Sequence, residues 1–227
     1  MQCSFCSELS HSCDGSNLFL SLVEDYKIST RVIYESNNFV ILPTIGAFVE
    51  GYLLIVAKQH YISIGAMAQS TLDEFNQMIL ACKSVIAKIY EKKTLVFEHG
   101  GRSDCNTIGA CVEHAHVHIV PIKDSIKSEL LHYPMQLHEI GSVRRLYEYG
   151  ERSESYLFYQ DIDGINYIIE SEIIPSQFMR QVTSHKLGVG DRWDWKLHHE
   201  VPNIIATLEN IKPEVFESAI RNLRHYS

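Results

Sequence analysis

No stretch of this 227-residue chain approaches the roughly 18 consecutive apolar residues that a membrane-spanning helix needs, so no membrane partner is expected. A long basic stripe is also missing. Twenty lysines and arginines against 28 acidic residues leave a formal net charge of −8. That balance argues against broad electrostatic capture of nucleic acid, and no stable nucleic-acid partner is expected. A locally positive pocket for a small phosphate compound stays compatible with it. The opening MQCSFCSELS has neither the basic start nor the apolar stretch of a secretory signal, which makes a cytoplasmic protein the expectation. Six cysteines are few for this length, and without an export signal they read as reduced thiols or metal ligands rather than disulfides. Repeats, low-complexity tracts and Gly/Ser linkers are lacking as well. What is present is ordinary globular composition, 45% hydrophobic and 21% charged, enough for one generous domain or a domain with a substantial appendage.

RVIYESNNFVILP, residues 31–43, holds two short apolar segments separated by the turn formers Ser36, Asn37 and Asn38, the pattern of a hairpin. GYLLIVAKQH, 51–60, reads as a third strand, with Lys58 and His60 where its apolar run ends. From Thr71 to Tyr90 the period becomes helical, with Leu72, Phe75, Ile79, Cys82, Ile86 and Ile89 recurring at threes and fours. Ser70 with Asp73, or Thr71 with Glu74, is placed to cap that helix. TLVFEH, 94–99, is a fourth strand, followed by the polar loop 100–109. The succession predicts an α+β domain of roughly 120 residues with a mostly antiparallel sheet. In the second half, 155–172 reads as a hairpin turning at Asp163-Gly164, 175–188 as a helix with Pro175 near its start, and the end as helices interrupted at Pro213.

VEHAHVHIVP, 112–121, is a short β-branched strand bounded by Pro121, with three histidines at every second position. A strand has a side-chain period of two, so His114, His116 and His118 share one face, while Ala115, Val117 and Ile119 take the opposite, core face. One strand histidine is usually a hydrogen-bonded packing residue. Three side by side must share hydrogen bonds, hold a metal or meet an anion, because unpaired buried polar groups are costly. Cys3 and Cys6 have the C-x₂-C spacing of a zinc half-site, and His60 with one triad histidine would complete a closed Cys₂His₂ set. The remaining histidines would then be free for chemistry, since a neutral imidazole is a nucleophile toward phosphorus and its neighbour can donate to a phosphoryl oxygen.

His114-Ala115-His116-Val117-His118-Ile119-Val120 resembles the signature of the histidine triad (HIT) family, His-φ-His-φ-His-φ-φ with φ apolar. The Cys3/Cys6 pair, the 31–43 hairpin, the Gly51 strand ending in KQH and the helix between that strand and the triad extend the resemblance over residues 1–123. Residues 124–227 would form a C-terminal α/β extension packed on that domain, with a substrate lid as one role. The resemblance is to longer, bacterial-type members. It implies a nucleotide hydrolase or nucleotidyl transferase acting on a nucleotide or dinucleoside polyphosphate, and a homodimer. It further implies that His116 is the nucleophile forming a covalent nucleotidyl-histidine, that His118 contacts the phosphate and assists the leaving group, and that His114 orients the site or joins Cys3, Cys6 and His60 around a structural zinc. A four-ligand zinc has no open position, so no catalytic metal is required.

The chain also departs from the family pattern. Gly51-Tyr52 stands where many relatives have Gly-His, and Gly109-Ala110-Cys111-Val112 where they have glycine, glutamine and a hydroxyl residue. Ala110 cannot hydrogen-bond through its side chain, and Cys111 is a weaker donor than the hydroxyl it replaces. His99, at a strand end where relatives have asparagine, is either a site residue or ordinary packing. Ser103 and Asn106 are candidate phosphate contacts, although both are also normal loop residues. In the second half, Gln177, Arg180, Arg192, Trp193 and Trp195 read either as a lid that stacks a base and meets phosphate or as an aromatic seam rimmed by charge. Three functions therefore stand: a hydrolase cleaving a nucleoside-linked phosphoanhydride or phosphoramidate, a phosphorolase or nucleotidyltransferase of the same family, and a non-catalytic nucleotide- or RNA-associated binding protein.

Overall fold

Tyr34–Glu35 (β1) and Phe39–Pro43 (β2) pair antiparallel around the Ser36–Asn38 turn in the computed structural model, which describes residues 3–10, 17–101, 114–153, 155–171 and 174–225. Leu53–Ala57 (β3), Lys93–Gly101 (β4), His116–Ile122 (β5), His138–Ile140 (β6), Ser155–Gln160 (β7) and Asn166–Glu170 (β8) complete one sheet. Its order is β1-β2-β3-β5-β4-β7-β8-β6, and every pairing is antiparallel. The hairpin β7–β8 turns at Asp163-Gly164 with Gly164 at φ 88°, a conformation that suits glycine. It joins the sheet through β4, from Val96↔Gln160 to Gly101↔Ser155, so the second half of the chain continues the sheet of the first.

One face of the sheet is covered by Thr71–Tyr90 (α3), whose Leu72, Phe75, Ile79, Cys82 and Ile86 are buried against Ile41, Ile55, Val96, Val117 and Ile119. Side chains of this size contribute roughly 1.5–3 kcal/mol each when removed from water. The helix stops at Glu91, which takes the left-handed conformation at φ 52°. The expected cap is absent at Ser70, whose side chain makes no capping bond. Glu74 is engaged elsewhere: its carboxylate accepts from the Asn38 backbone N–H and side-chain amide at 2.9 and 2.5 Å, tying the helix to the β1–β2 turn. Leu146–Arg152 (α5) and Pro213–His225 (α8) lie on the same face, with Tyr34 stacked on Phe216.

The opposite face has two separate covers. Ser4–Leu9 (α1) lays Phe5 on Val40, Leu42, Leu54 and Val56. Phe178–Lys186 (α6) and Val201–Asn210 (α7) cover Leu95, Phe97, Leu157, Tyr159 and Ile169, with Leu18–Leu22 (α2) adding Phe19. A short helix, Lys127–Leu130 (α4), buries Leu130 in that second cluster. Strand β5 runs between the two covers. It passes through Pro121 instead of ending there, because pairing with β3 stops at Ile119 and Pro121 is flanked by β4 alone. A residue without an N–H is tolerated where a strand has an open side. No helix among the described residues is long and apolar enough to cross a membrane.

Candidate functional site

The alternation along β5 and the two residues before it sends Ala115, Val117 and Ile119 into the α3 side and the three histidines to the other face. His118 is opposite Leu54 of β3 and Phe97 of β4, and the Phe97 ring stacks on its imidazole at 4.6 Å and 15°. The Nδ1 edge of that ring is fixed by Tyr52, whose hydroxyl is 2.8 Å away. His116 donates from Nδ1 to the His114 carbonyl at 2.6 Å, which leaves the lone pair on Nε2. Burial pushes the His116 imidazole down to about 4, opposed by that carbonyl bond, so it is neutral near pH 7. His118 is likewise held well below its usual range, first by burial and then by the neighbouring His116 imidazole, since two adjacent rings resist both being charged. His99 is driven down to about 4 by burial and His116, and its buried Nε2 has no hydrogen-bond partner among the described residues.

His116, His118 and His99 line a cleft of about 950 Å³, its open mouth included. Both covers contribute walls: Ser4, Phe5 and Glu8 from α1, and Gln177, Arg180 and Trp195 from the second half. Two arginines face it and differ in whether a carboxylate balances their charge. Arg31 is neutralised by a bidentate pair with Glu8 at 2.7 Å and donates to the Pro43 carbonyl. Arg180 has no carboxylate partner among the described residues. Its Nε donates to the Trp193 carbonyl at 2.8 Å and one terminal nitrogen to the Gly46 carbonyl at 2.6 Å, while Nη1 is buried without a partner. A desolvated guanidinium with a free donor is costly unless an anion meets it. The approach depends on Gly46, at φ 74°, where a Cβ would come within 2.5 Å of Trp195 and 2.8 Å of Arg180.

At the other end of the histidine row, α1 presents Cys3 and Cys6 from one turn toward His60 and His114, with all four ligand atoms within 4.8 Å of one another. Cys3 Sγ is 3.3 Å from His114 Nδ1, and Cys6 Sγ is 3.4 Å from His60 Nδ1 and 3.6 Å from His114 Nδ1. With Zn–S about 2.3 Å and Zn–N about 2.0–2.1 Å, a tetrahedral centre requires S···N edges of about 3.5 Å, so this donor set fits such an ion. His114 Nε2 meets the Ala57 carbonyl at 2.7 Å, which fixes the tautomer that leaves Nδ1 for a metal. Burial and the adjacent Cys3 push the Cys6 thiol up to about 11.

Sequence reasoning identified the triad face, the four-residue Cys/His cluster and Arg180, and these are brought together. Of the second-half residues, Gln177 and Trp195 reach the cleft. Arg192 pairs instead with Glu200 at 3.4 Å, and Trp193 offers its backbone carbonyl to Arg180. Ser103, Asn106 and Cys111, with Ala110, lie outside the described residues. Phe5, Phe97 and the Arg31–Glu8 pair were missed. A signal for Phe5 exists, since a residue between two cysteines that share one helical turn is carried to whatever those cysteines approach.

A family model described as HIT domain matches residues 26–125. Among solved structures, a Hit-like protein involved in cell-cycle regulation from Bartonella henselae is 18% identical with a TM-score of 0.37, the match covering 50% of this chain and 83% of that one. A member of the HIT family from Bacillus subtilis is 18% identical with a TM-score of 0.39, covering 53% and 73%. The yeast Ap4A phosphorylase Apa2 is 11% identical with a TM-score of 0.42, covering 78% and 75%. No curated protein matches the sequence. The segment matched by the family model contains β1 to β5, α3 and all three histidines of the row, while Cys3, Cys6 and Arg180 lie beyond it: the chain carries a core HIT domain at residues 26–125.

Proposed function

We propose that the cleft cleaves a nucleoside-linked phosphoanhydride or phosphoramidate through a covalent nucleotidyl-histidine on His116. The observation that carries this reading is the His116 imidazole itself. Its Nδ1–H is engaged by the His114 carbonyl at 2.6 Å, so the nucleophilic lone pair belongs to Nε2 on the cleft side. As Nε2 attacks an α-phosphorus, the new N–P bond forms while the bridging P–O bond of an anhydride, or the P–N bond of a phosphoramidate, breaks; the leaving phosphate departs with the electron pair, and a leaving amine does so with a proton taken from the surrounding water. The positive charge that develops on the ring is stabilised by the same carbonyl. Water then attacks the phosphorus, the N–P bond breaks, and a nucleoside monophosphate is released. His118 donates a hydrogen bond to the phosphoryl or leaving oxygen, and Arg180 Nη1 supplies the charge-assisted bond that its burial leaves unmade. Trp195 and Gln177 form the part of the wall contributed by the second half, where a base would stack. Ser103, Asn106 and Cys111 belong to the segment leading into β5 and are assigned to the same phosphate.

Zinc is the ion we assign to Cys3, Cys6, His60 and His114. When bound, it supplies a rigid structural tie rather than an open coordination position. The residues then act through α1: Phe5 packs against both His114 and His116, with ring centroids 5.5 and 5.4 Å away, and limits water at the row.

The test follows products by chromatography after incubating wild type and His116→Ala with diadenosine polyphosphates and adenosine phosphoramidate, each with and without added phosphate. Monophosphate released by wild type and lost in the variant supports the reading. ADP formed only with phosphate would replace hydrolysis by phosphorolysis. Full activity in His116→Ala would refute it.

A further inference from the structure

We propose that Tyr52 is a positioning residue that sets His118 as an N–H donor toward the cleft and links the triad to Arg180 of the second half. Tyr52 is fully buried, and its hydroxyl is 2.8 Å from His118 Nδ1. The direction of that hydrogen bond decides what His118 can do. If the phenol donates, Nδ1 accepts and a neutral His118 must carry its proton on Nε2, the edge facing the cleft. If Nδ1–H donates, Nε2 offers only a lone pair and His118 cannot hold an anionic oxygen.

Two surroundings favour the phenol as donor. Burial pushes the hydroxyl up to about 12, opposed by the Arg180 charge, so the proton stays on oxygen. The Arg180 guanidinium lies 5.3 Å from the Tyr52 ring centroid and 5.2 Å from that of Phe48, a cation over the ring that strengthens the phenol as a donor. Phe97 stacked on one side of the imidazole, with Phe48 packed on Tyr52 at 5.0 Å, holds the two rings in this contact. One path of contacts therefore runs from α6, through Arg180 and Tyr52, to the His118 Nε2–H. Aromatic packing alone would hold Tyr52 equally well with phenylalanine at the position, so the hydroxyl is the discriminating atom.

The experiment has two readouts, and only the second rests on the proposed function. Long-range proton–nitrogen spectra of full-length protein labelled at histidine nitrogen, with His118 assigned by its loss in His118→Gln, report the tautomer directly. Wild type is expected to show protonated Nε2 and bare Nδ1, and Tyr52→Phe a mixture of tautomers. A wild-type Nδ1–H tautomer overturns the proposal even if the variant fails to fold. On any substrate that wild type turns over, Tyr52→Phe is expected to lower kcat by about threefold to tenfold, the range of one hydrogen bond, with KM changed less than about twofold. An unchanged kcat in a folded Tyr52→Phe also overturns it. Absence of wild-type turnover would count against the proposed function, while the tautomer result would still decide the role of Tyr52.

Discussion

Replacing Glu98 by glutamine should reverse its effect on stability between acidic and alkaline pH. Glu98 is on β4, facing away from the histidine row, and only 1% exposed. One carboxylate oxygen accepts the Ile64 backbone N–H at 2.6 Å and the other the Tyr156 hydroxyl at 2.8 Å. Burial nevertheless outweighs those bonds and raises the carboxyl from its ordinary 4.5 to about 7. Below pH 4.5 the group is neutral in both folded and unfolded chains and costs nothing. Between about 4.5 and 7 the unfolded chain loses its proton while the folded chain keeps it, so stability falls as pH rises. Above 7 the loss is complete. At about 1.4 kcal/mol per pH unit it amounts to about 3 kcal/mol.

Glutamine removes that dependence and still accepts from Ile64, but it turns an amide toward Tyr156 and leaves the hydroxyl without its acceptor, a cost of about 1 kcal/mol. The variant should therefore be about 1 kcal/mol less stable than wild type near pH 4.5 and about 2 kcal/mol more stable at pH 8, the curves crossing between pH 5 and 6. Urea unfolding followed by the fluorescence of the two tryptophans, at several pH values and equal metal content, measures this. The buried histidines titrate in both proteins, so the difference isolates Glu98. A difference that does not vary with pH would refute the reasoning.

Arg180→Met should weaken binding of AMP by about 10- to 100-fold in calorimetry, the value of one hydrogen bond from a charged donor; equal affinity would remove Arg180 from the site. Purified protein should contain one zinc per chain by elemental analysis, and Cys6→Ser should lose it with a lower Tm. A chelator should lower the Tm of wild type and leave that variant unchanged. Because the Cys6 thiol, pushed up to about 11, must lose its proton to bind, zinc affinity should fall as pH falls, and a flat profile would contradict the ligand set. Chelation should also weaken nucleotide binding, since Phe5 and Glu8 reach the cleft on the helix that the metal ties down.

The elements that periodicity governs were legible in the sequence. The 71–90 helix, the 31–43 hairpin and the inward face of Ala115, Val117 and Ile119 follow from side chains repeating at 3.6 or 2, which fixes the buried face regardless of distant partners. The helix cap was not legible, because Glu74 had a competing partner in Asn38, far away in sequence. Pro121 misled for a similar reason: whether a strand tolerates proline depends on which neighbours flank it there, which only the sheet order reveals. For the site, the Cys/His spacing and the triad named the chemistry-bearing groups. The partners that set their protonation, Tyr52 on His118, the His114 carbonyl on His116 and the unpaired Nη1 of Arg180, arise from tertiary packing and leave no local pattern.

Cleavage through His116 requires that its Nε2 become bonded to phosphorus. Intact-mass measurement of full-length protein, quenched in alkali within seconds of mixing with a diadenosine polyphosphate, tests it most directly, because phosphoramidates of histidine survive base and are lost in acid. A mass increase of one adenylyl group is expected, located on the peptide bearing His116 and absent from His116→Ala. Steady turnover with no adduct on that peptide, or an adduct that persists in His116→Ala, would contradict it.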